Sequence, residues 1–248
     1  MSLWSGGTIR TAGLQDATAV GDVLAAALTD TALGALLPVN RTGRRRVLRQ
    51  VCTALAAAAV VNGGTVHVRS DVAGAAIWLP ADTPTSAAAQ PTDRTGSTSA
   101  IADVLDIAVM DLDTVPAAAD GVPAAGAALN HTTQTVLDTL AALLRPTVLP
   151  RRGGTAGAWF LVALGVDPDA RREGVARQLL TDQHDALDRH RAPAVAVAID
   201  PAGQQLYATA GYRPHHVDPV ADGLAVQWLV RSPGPIELVT PRPSWRTG

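Results

Sequence analysis

The hydrophobic pattern of the chain is clearest between residues 159 and 180, where its period changes. Residues 159–166 form an apolar run bounded by breakers, which predicts a buried strand. The segment Asp167-Pro168-Asp169 ends that run. Apolar residues then recur at roughly helical spacing, with charged residues between them, and predict a helix over residues 174–191. This strand, turn and helix form the segment around which the rest of the chain is organised.

The turn between this strand and this helix reads Arg171-Arg172-Glu173-Gly174-Val175-Ala176. A strand that runs through a tight turn into a helix leaves several backbone N–H groups unpaired, and the helix dipole adds partial positive charge there. The small residues Gly174 and Ala176 allow a ligand to approach the backbone closely. The turn is therefore suited to a phosphate or pyrophosphate group.

Further elements are predicted on both sides of this segment. Strands are predicted at residues 8–11, 65–70, 74–79, 194–199 and 224–230, with another beginning at 212, and helices at 14–28, 44–61, 101–112, 132–144 and 206–210. This order predicts an α/β fold of the α+β kind, in which a mixed, mainly antiparallel sheet has helices on both faces. His67 would lie on the polar side of its strand, either in an ordinary surface or network role or as a catalytic residue.

The domain organisation follows from composition. Residues 1–231 are expected to form a single domain. Within it, residues 80–99 are rich in Pro, Ala, Thr and Ser without a hydrophobic period, which predicts a loop. Residues 232–248 are Pro-rich and are expected to form a C-terminal tail.

Charge and cysteine content limit the possible functions. The 248 residues include 20 basic and 22 acidic ones, and this balance argues against a nucleic-acid partner, which requires a basic excess. No apolar run approaches the roughly 20 residues of a membrane span, and the first residues do not read as a signal peptide, so no membrane partner and a cytoplasmic location are expected. The single cysteine, Cys52, excludes a disulfide framework and favours a buried thiol over a nucleophile. No metal site is predicted.

Two charged clusters have open interpretations. The basic cluster Arg44-Arg45-Arg46 with Arg49 is either a solvated helix face or a site for a phosphate or an acidic neighbour. The acidic stripe Asp103, Asp106 and Asp113 is either a solvated face or a surface that attracts a cationic amine.

The central segment resembles the acyl-CoA-binding segment of the GNAT N-acetyltransferase superfamily. Arg171, Gly174 and Ala176 match the family pattern of Gln or Arg, two residues, Gly, one residue, then Gly or Ala. The later segment LYATAGY, residues 206–212, lies at the expected distance. Within the superfamily, the sequence looks closest to bacterial enzymes of the puromycin N-acetyltransferase type.

This resemblance implies a GNAT-type fold, acetyl-CoA as cosubstrate and a set of site residues. The coenzyme-binding positions that it implies are Leu164, Val166, Arg171, Arg172, Gly174, Val175, Ala176 and Arg177. In this fold the central strand splays from its neighbour, so the N–H of Val166 is the candidate donor to the thioester carbonyl. Tyr207 matches the family tyrosine that protonates the coenzyme sulfur; its alternative role is packing between helix and sheet.

Two positions depart from the pattern of the puromycin N-acetyltransferase type. Val197 stands where those enzymes have a strand glutamate, and Gly203 stands where they have an asparagine. The first change removes the expected general base, and the second removes a side-chain hydrogen bond to the coenzyme. Asp200 is a candidate replacement base, although a turn-capping role is favoured.

The function expected from the resemblance is transfer of an acetyl group from acetyl-CoA to the amine of a small molecule by direct attack in a ternary complex. The acceptor pocket is expected beside residues 30–40. The alternative is a protein of the same fold that binds acyl-CoA or a small molecule without turnover. A monomer and a homodimer are both compatible with the sequence.

Overall fold

A seven-stranded sheet is built around the strand predicted at residues 159–166. The structure is a computed structural model that describes residues 7–35, 37, 39–80, 157–221 and 224–234. Its strands are β1 (Ile9–Thr11), β2 (Thr65–Arg69), β3 (Gly74–Pro80), β4 (Trp159–Val166), β5 (Ala194–Ala198), β6 (Arg213–Ala221) and β7 (Leu224–Arg231). Its helices are α1 (Ala17–Leu28), α2 (Ala32–Ala35), α3 (Arg41–Val61), α4 (Val175–Arg189) and α5 (Pro201–Thr209). Short 3-10 turns occur at Leu14–Asp16 and Pro168–Ala170.

The strand order is β1-β2-β3-β4-β5-β7-β6. Strands β4 and β5 run parallel, and every other neighbouring pair is antiparallel. Helices cover both faces, so the prediction of a mixed, mainly antiparallel sheet is confirmed. The parallel pair at the centre places α4 as a crossover between β4 and β5.

The two faces of the sheet have separate apolar cores. One face packs against α1 and α3 through residues that include Leu24, Val51 and Ile77. The opposite face packs against α4 and α5 through residues that include Trp78 and Leu179. Alternate residues of β5 enter the two cores, as the period of a strand requires.

Local sequence signals explain where the helices begin. Asn40 caps α3, because its side chain accepts a hydrogen bond from the Gly43 N–H at 2.8 Å. Asp200 caps α5 in the same way and is followed by Pro201, a residue favoured in the first turn of a helix. These caps extend both helices beyond the predicted starts, by three residues in α3 and by five in α5.

The prediction for His67 was wrong about its surroundings. Strand β2 is covered on both faces, because α3 packs on one side and α4 on the other, and His67 is only 4% exposed. Its Nδ1 lies 3.1 Å from Oδ2 of Asp182 on α4 but makes no hydrogen bond of good geometry. Burial lowers the pKa of His67 more than Asp182 raises it, which favours the neutral ring.

Several predicted elements lie outside the described residues: the loop at 80–99 apart from Pro80, which ends β3, the helices at 101–112 and 132–144 with their acidic stripe, and most of the tail. No helix in the described ranges is long and apolar enough to cross a membrane.

Candidate functional site

A β-bulge in β4 opens the centre of the sheet. Ala163 lies opposite Ile77 and Leu161 lies opposite Trp78, so Val162 is an extra residue without an opposite partner on β3. A bulge bends its strand and increases the local twist. Pairing between β4 and β5 is limited to residues 159–161 and 194–196, on the N-terminal side of the bulge. Beyond Leu161 the two parallel strands separate and leave a cleft.

The edge of β4 that faces this cleft presents backbone groups of two predicted site residues. The N–H of Asp167 bonds to the carbonyl of Ala73 at 2.9 Å, on the side of β3. Because successive residues of a strand direct their backbone groups to opposite edges, Val166 and Leu164 direct theirs towards the cleft. Strand β5 does not pair with this part of β4.

The turn that leads into α4 has the backbone conformation expected of a ligand-binding turn. Gly174 is the N-cap of α4 and has a φ of +79°, and Arg172 has a φ of +68°. A Cβ added at Gly174 would meet nothing within 4 Å, so the turn is open on that side. The backbone N–H groups from Arg172 to Arg177 have no hydrogen-bond acceptor in the described part of the chain. These unpaired main-chain donors and the dipole of α4 give the turn partial positive charge.

Charged side chains around this turn are held by the surrounding structure. Arg171 reaches α1, where its Nη2 donates to the carbonyl of Ala27 at 3.2 Å. Glu173 lies with Oε2 3.6 Å from Nη2 of Arg69. Arg69 is 7% exposed and donates two hydrogen bonds, both of 2.7 Å, to the carboxylate of Asp71. The sequence did not predict this contact between the buried Arg69 of β2 and the carboxylate of Glu173 in the turn.

A cavity of about 430 Å³ occupies the cleft between β4 and β5. Its lining combines the cleft edge of β4 with residues from both faces of the sheet. On one face it reaches Ala176 and Tyr207, and on the other it reaches α1 and α3. The predicted residues that line it are Leu164, Val166, Arg171, Ala176, Asp200 and Tyr207. Gly174 and Arg177 instead line a separate open groove between the start of β1 and α4.

Tyr207 is buried in the wall of this cavity at 8% exposure. Its ring lies 5.5 Å from that of Tyr212, whose hydroxyl lies 3.0 Å from Nε2 of the buried His184. Burial, together with the charge of Asp200, raises the pKa of Tyr207 above its ordinary range. The phenol is therefore protonated throughout the neutral range and can act as a hydrogen-bond donor. It packs between helix and sheet as well, so both predicted roles are compatible with its location.

Asp200 has the capping role that the sequence favoured. Its Oδ1 accepts a hydrogen bond from the Gly203 N–H at 2.7 Å, which holds the first turn of α5. The same carboxylate contributes to the cavity lining. A side chain at residue 203 would also be crowded, because a Cβ there would lie 3.2 Å from Oδ1 of Asp200.

The part of the cavity that sequence reasoning missed is its apolar end. Val197, which the resemblance to the puromycin N-acetyltransferase type compares with a strand glutamate, lines the cavity on the α1 and α3 side. The deepest residues belong to α3: Leu48, Val51, Cys52 and Leu55. Their helical spacing was visible, but a stripe of apolar residues on a helix does not distinguish an ordinary core from the floor of a cavity. Burial raises the pKa of Cys52 to about 12, so the predicted buried thiol is confirmed.

The comparisons with known proteins agree with this architecture. Residues 156–228 match the family model described as an acetyltransferase (GNAT) domain. The fold is similar to a solved structure from Corynebacterium glutamicum, described as histone acetyltransferase HPA2 and related acetyltransferase, with a TM-score of 0.55, 16% identity and coverage of 94% of this chain and 99% of that one. It is also similar to the polyamine N-acetyltransferase of Drosophila melanogaster, with a TM-score of 0.53, 14% identity and coverage of 91% and 99%. An N-acetyltransferase from Staphylococcus aureus gives a TM-score of 0.52, 12% identity and coverage of 90% and 99%. The sequence has no significant match among curated proteins.

The fold is that of these solved acetyltransferase structures. Residues 156–228 are thus similar to a GNAT acetyltransferase domain, and the rest of the chain is compared with known proteins only through its fold. The finer resemblance to the puromycin N-acetyltransferase type stays a prediction.

Proposed function

We propose that the protein transfers the acetyl group of acetyl-CoA to the amine of a small molecule by direct attack in a ternary complex. The observation that carries this proposal is that one cavity is lined by the unpaired edge of β4 at Leu164 and Val166, by Ala176 beside the open turn, and by Tyr207. Members of the GNAT family generally use acetyl-CoA. The proposal places the whole reaction within one domain, residues 1–231.

The coenzyme is proposed to bind at the turn before α4 and along the unpaired edge of β4. The free N–H groups from Arg172 to Arg177 would hold the pyrophosphate, and the missing side chain of Gly174 would allow its close approach. Arg171, Val175 and Ala176 complete this turn. The pantetheine arm would then lie in the cleft and pair with the backbone of Leu164 and Val166 in place of a neighbouring strand.

The chemistry requires a neutral amine, a donor for the carbonyl oxygen and a partner for the leaving sulfur. The amine nitrogen attacks the thioester carbon, and negative charge develops on the oxygen before the C–S bond breaks. A preorganised donor such as the Val166 N–H contributes roughly 3 kcal/mol to a transition state of this kind. The amine proton is lost to water or to Asp200, and the products are an acetamide and free CoA.

Tyr207 is proposed to serve the departing thiolate. A phenol has an ordinary pKa of about 10 and a thiol one of about 8.5, and burial moves the pKa of Tyr207 further upward. Full proton transfer to the sulfur is therefore uphill, and most of the stabilisation comes from a hydrogen bond to the sulfur as its charge develops. The proton follows once the bond has broken.

The experiment that tests this proposal measures thiol release from acetyl-CoA with a panel of small amines and confirms the acetylated product by mass. We expect Tyr207→Phe to reduce turnover roughly ten- to a thousandfold while acetyl-CoA affinity changes little. Tyr212→Phe is the matched control: it removes the neighbouring phenol that pairs with His184, and it should lower stability but leave turnover nearly unchanged.

The outcomes separate catalysis from binding alone. Turnover that is lost in Tyr207→Phe and kept in Tyr212→Phe supports the assigned role. Wild-type turnover in Tyr207→Phe would leave positioning of the two substrates as the source of catalysis. Acetyl-CoA binding without thiol release for any amine would overturn the transferase proposal in favour of a protein that binds without turnover.

A further inference from the structure

The cavity ends in an apolar chamber on the face of the sheet that carries α1 and α3. The floor of the chamber is formed by α3 residues that are at most 3% exposed, and its walls by half-buried residues of α1, β4 and β5. The residues of this apolar chamber are Leu28, Leu48, Val51, Cys52, Leu55, Val162 and Val197. Its described surroundings offer dispersion contacts and burial from water rather than charge.

The polar side chains near this chamber are already engaged with the protein. The hydroxyl of Thr31 donates to the carbonyl of Leu28 at 2.7 Å. Arg171 donates to the carbonyl of Ala27, and Asp200 accepts the N–H of Gly203. Among the described residues that line the cavity, Asp200 is the only carboxylate, and it belongs to the opposite side at the start of α5. A second ammonium group placed in the apolar chamber would therefore have no counter-charge from the described lining.

The lack of a strand carboxylate and the apolar surroundings have related consequences for the amine. Val197 cannot remove a proton, so the nucleophile must become neutral in another way. An apolar environment disfavours the charged form of an amine because the ammonium loses its hydration. An acceptor whose body fills the apolar chamber would bring its amine to the cleft partly desolvated. Binding would then assist deprotonation in place of a side-chain base.

We propose that the apolar chamber binds the hydrocarbon body of the acceptor, so that the acceptor is a primary amine on an alkyl or aryl group without a second charge. This inference rests on the proposed function and specifies its substrate class. Tyr207 lies in the core on the opposite face of the sheet, so the leaving sulfur and the apolar chamber are on opposite sides of the cleft. The nucleophile is thereby placed on the side away from the leaving group.

The test uses straight-chain amines from propylamine to hexylamine, each compared with the diamine of equal length. The two members of a pair differ only in a terminal ammonium group. We expect KM for the monoamines to fall about fourfold for each methylene group that is buried. Each longer diamine should have a KM at least roughly tenfold higher than its monoamine, since its second charge would have to be desolvated.

Substitutions at Leu28 locate the effect in the chamber. Leu28 is half-buried at the end of α1 and lines the cavity. Leu28→Trp should raise KM for hexylamine roughly tenfold and for propylamine much less, whereas Leu28→Ala should shift the preference towards bulkier amines. Val61→Trp is the control, because Val61 is 68% exposed on α3 and lies outside the cavity lining.

The outcomes distinguish this inference from the proposed function. Amine affinity is also measured by calorimetry with CoA present, so the inference is tested even if no thiol is released. Diamines that bind as tightly as monoamines, or a Leu28→Trp variant with unchanged chain-length preference, would overturn it. If Leu28→Trp instead raised KM only for the longer acyl donors butanoyl-CoA and hexanoyl-CoA, the chamber would hold the acyl chain of the donor. That result would also overturn the inference. Absence of thiol release with normal amine selectivity would overturn the proposed function alone.

Discussion

The turn before α4 and the apolar chamber serve the two proposed substrates in opposite ways. The turn is built from the backbone of six consecutive residues, 171–176, and is open to solvent. The chamber is built from side chains that come from α1, α3, β4 and β5, and its floor is almost completely buried. A polyanion is recognised by fixed backbone N–H groups, whose direction is set by the local conformation of the turn. A hydrocarbon body is recognised by shape, which depends on every side chain in the wall. The proposed coenzyme site is therefore a local property of the chain, and the proposed acceptor site is a property of the tertiary structure.

The largest effect that we expect comes from placing a carboxylate in the turn. Gly174→Asp should weaken acetyl-CoA binding by roughly a hundredfold or more, measured by calorimetric titration. Two like charges 4 Å apart repel by about 4 kcal/mol at an effective dielectric constant near 20, and salt reduces that figure. The substitution also brings a side chain into the space that the ligand needs.

Gly63→Asp is a closely matched control for this variant. Gly63 has a φ of +76°, against +79° for Gly174, and an added Cβ meets nothing within 4 Å at either residue. Both variants therefore place a side chain at a similar positive φ, but Gly63 lies just after the end of α3, outside the turn. Equal acetyl-CoA affinity in the two variants would show that the coenzyme phosphates bind elsewhere.

The same contrast explains what the sequence could predict. The strand at 159–166 and the turn with Gly174 and Ala176 were predicted correctly, because each depends on a short run of residues. The bulge at Val162 was not visible, because it depends on how β4 pairs with β3. His67 was placed on a polar surface because alternation along a strand reveals one covered face; the packing of α3 and α4 covers both. The role of Arg69 beside Glu173 was missed for a similar reason, since the two residues are distant in sequence and meet only in the folded protein.

The next prediction concerns the pH dependence of kcat/KM, which tests how the acceptor amine loses its proton. With Val197 in place of a strand carboxylate, the supply of neutral amine should control the rate. We expect kcat/KM to rise about tenfold for each pH unit below the amine's own pKa, without a plateau set by a protein group near pH 6 to 7. The measurement is a pH profile with two amines of similar size and different pKa.

One outcome of the pH profile would contradict this prediction. If both amines give the same ascending limb, then a protein group controls the proton, and Asp200 is the first residue to test. In that case Asp200→Asn would abolish the limb. The asparagine side-chain oxygen can still accept the hydrogen bond from the Gly203 N–H that holds α5, so the capping role would be kept.

The smallest effect concerns the one acidic side chain in the turn. Glu173 lies among the proposed phosphate ligands, but the buried Arg69 holds its carboxylate at 3.6 Å on the side of β2. Because the Glu173 side chain is 47% exposed, water and salt weaken its repulsion of a bound phosphate. Glu173→Gln should therefore tighten acetyl-CoA binding only two- to fivefold at low salt, and the gain should shrink as ionic strength rises. Asp71→Asn removes a carboxylate from the same arginine without touching the turn, and it should leave the affinity nearly unchanged. Weaker binding in Glu173→Gln would instead mean that the contact between Glu173 and Arg69 holds the turn in its binding conformation. The stabilisation of the turn by this ion pair would then outweigh the repulsion between the Glu173 carboxylate and the bound phosphate.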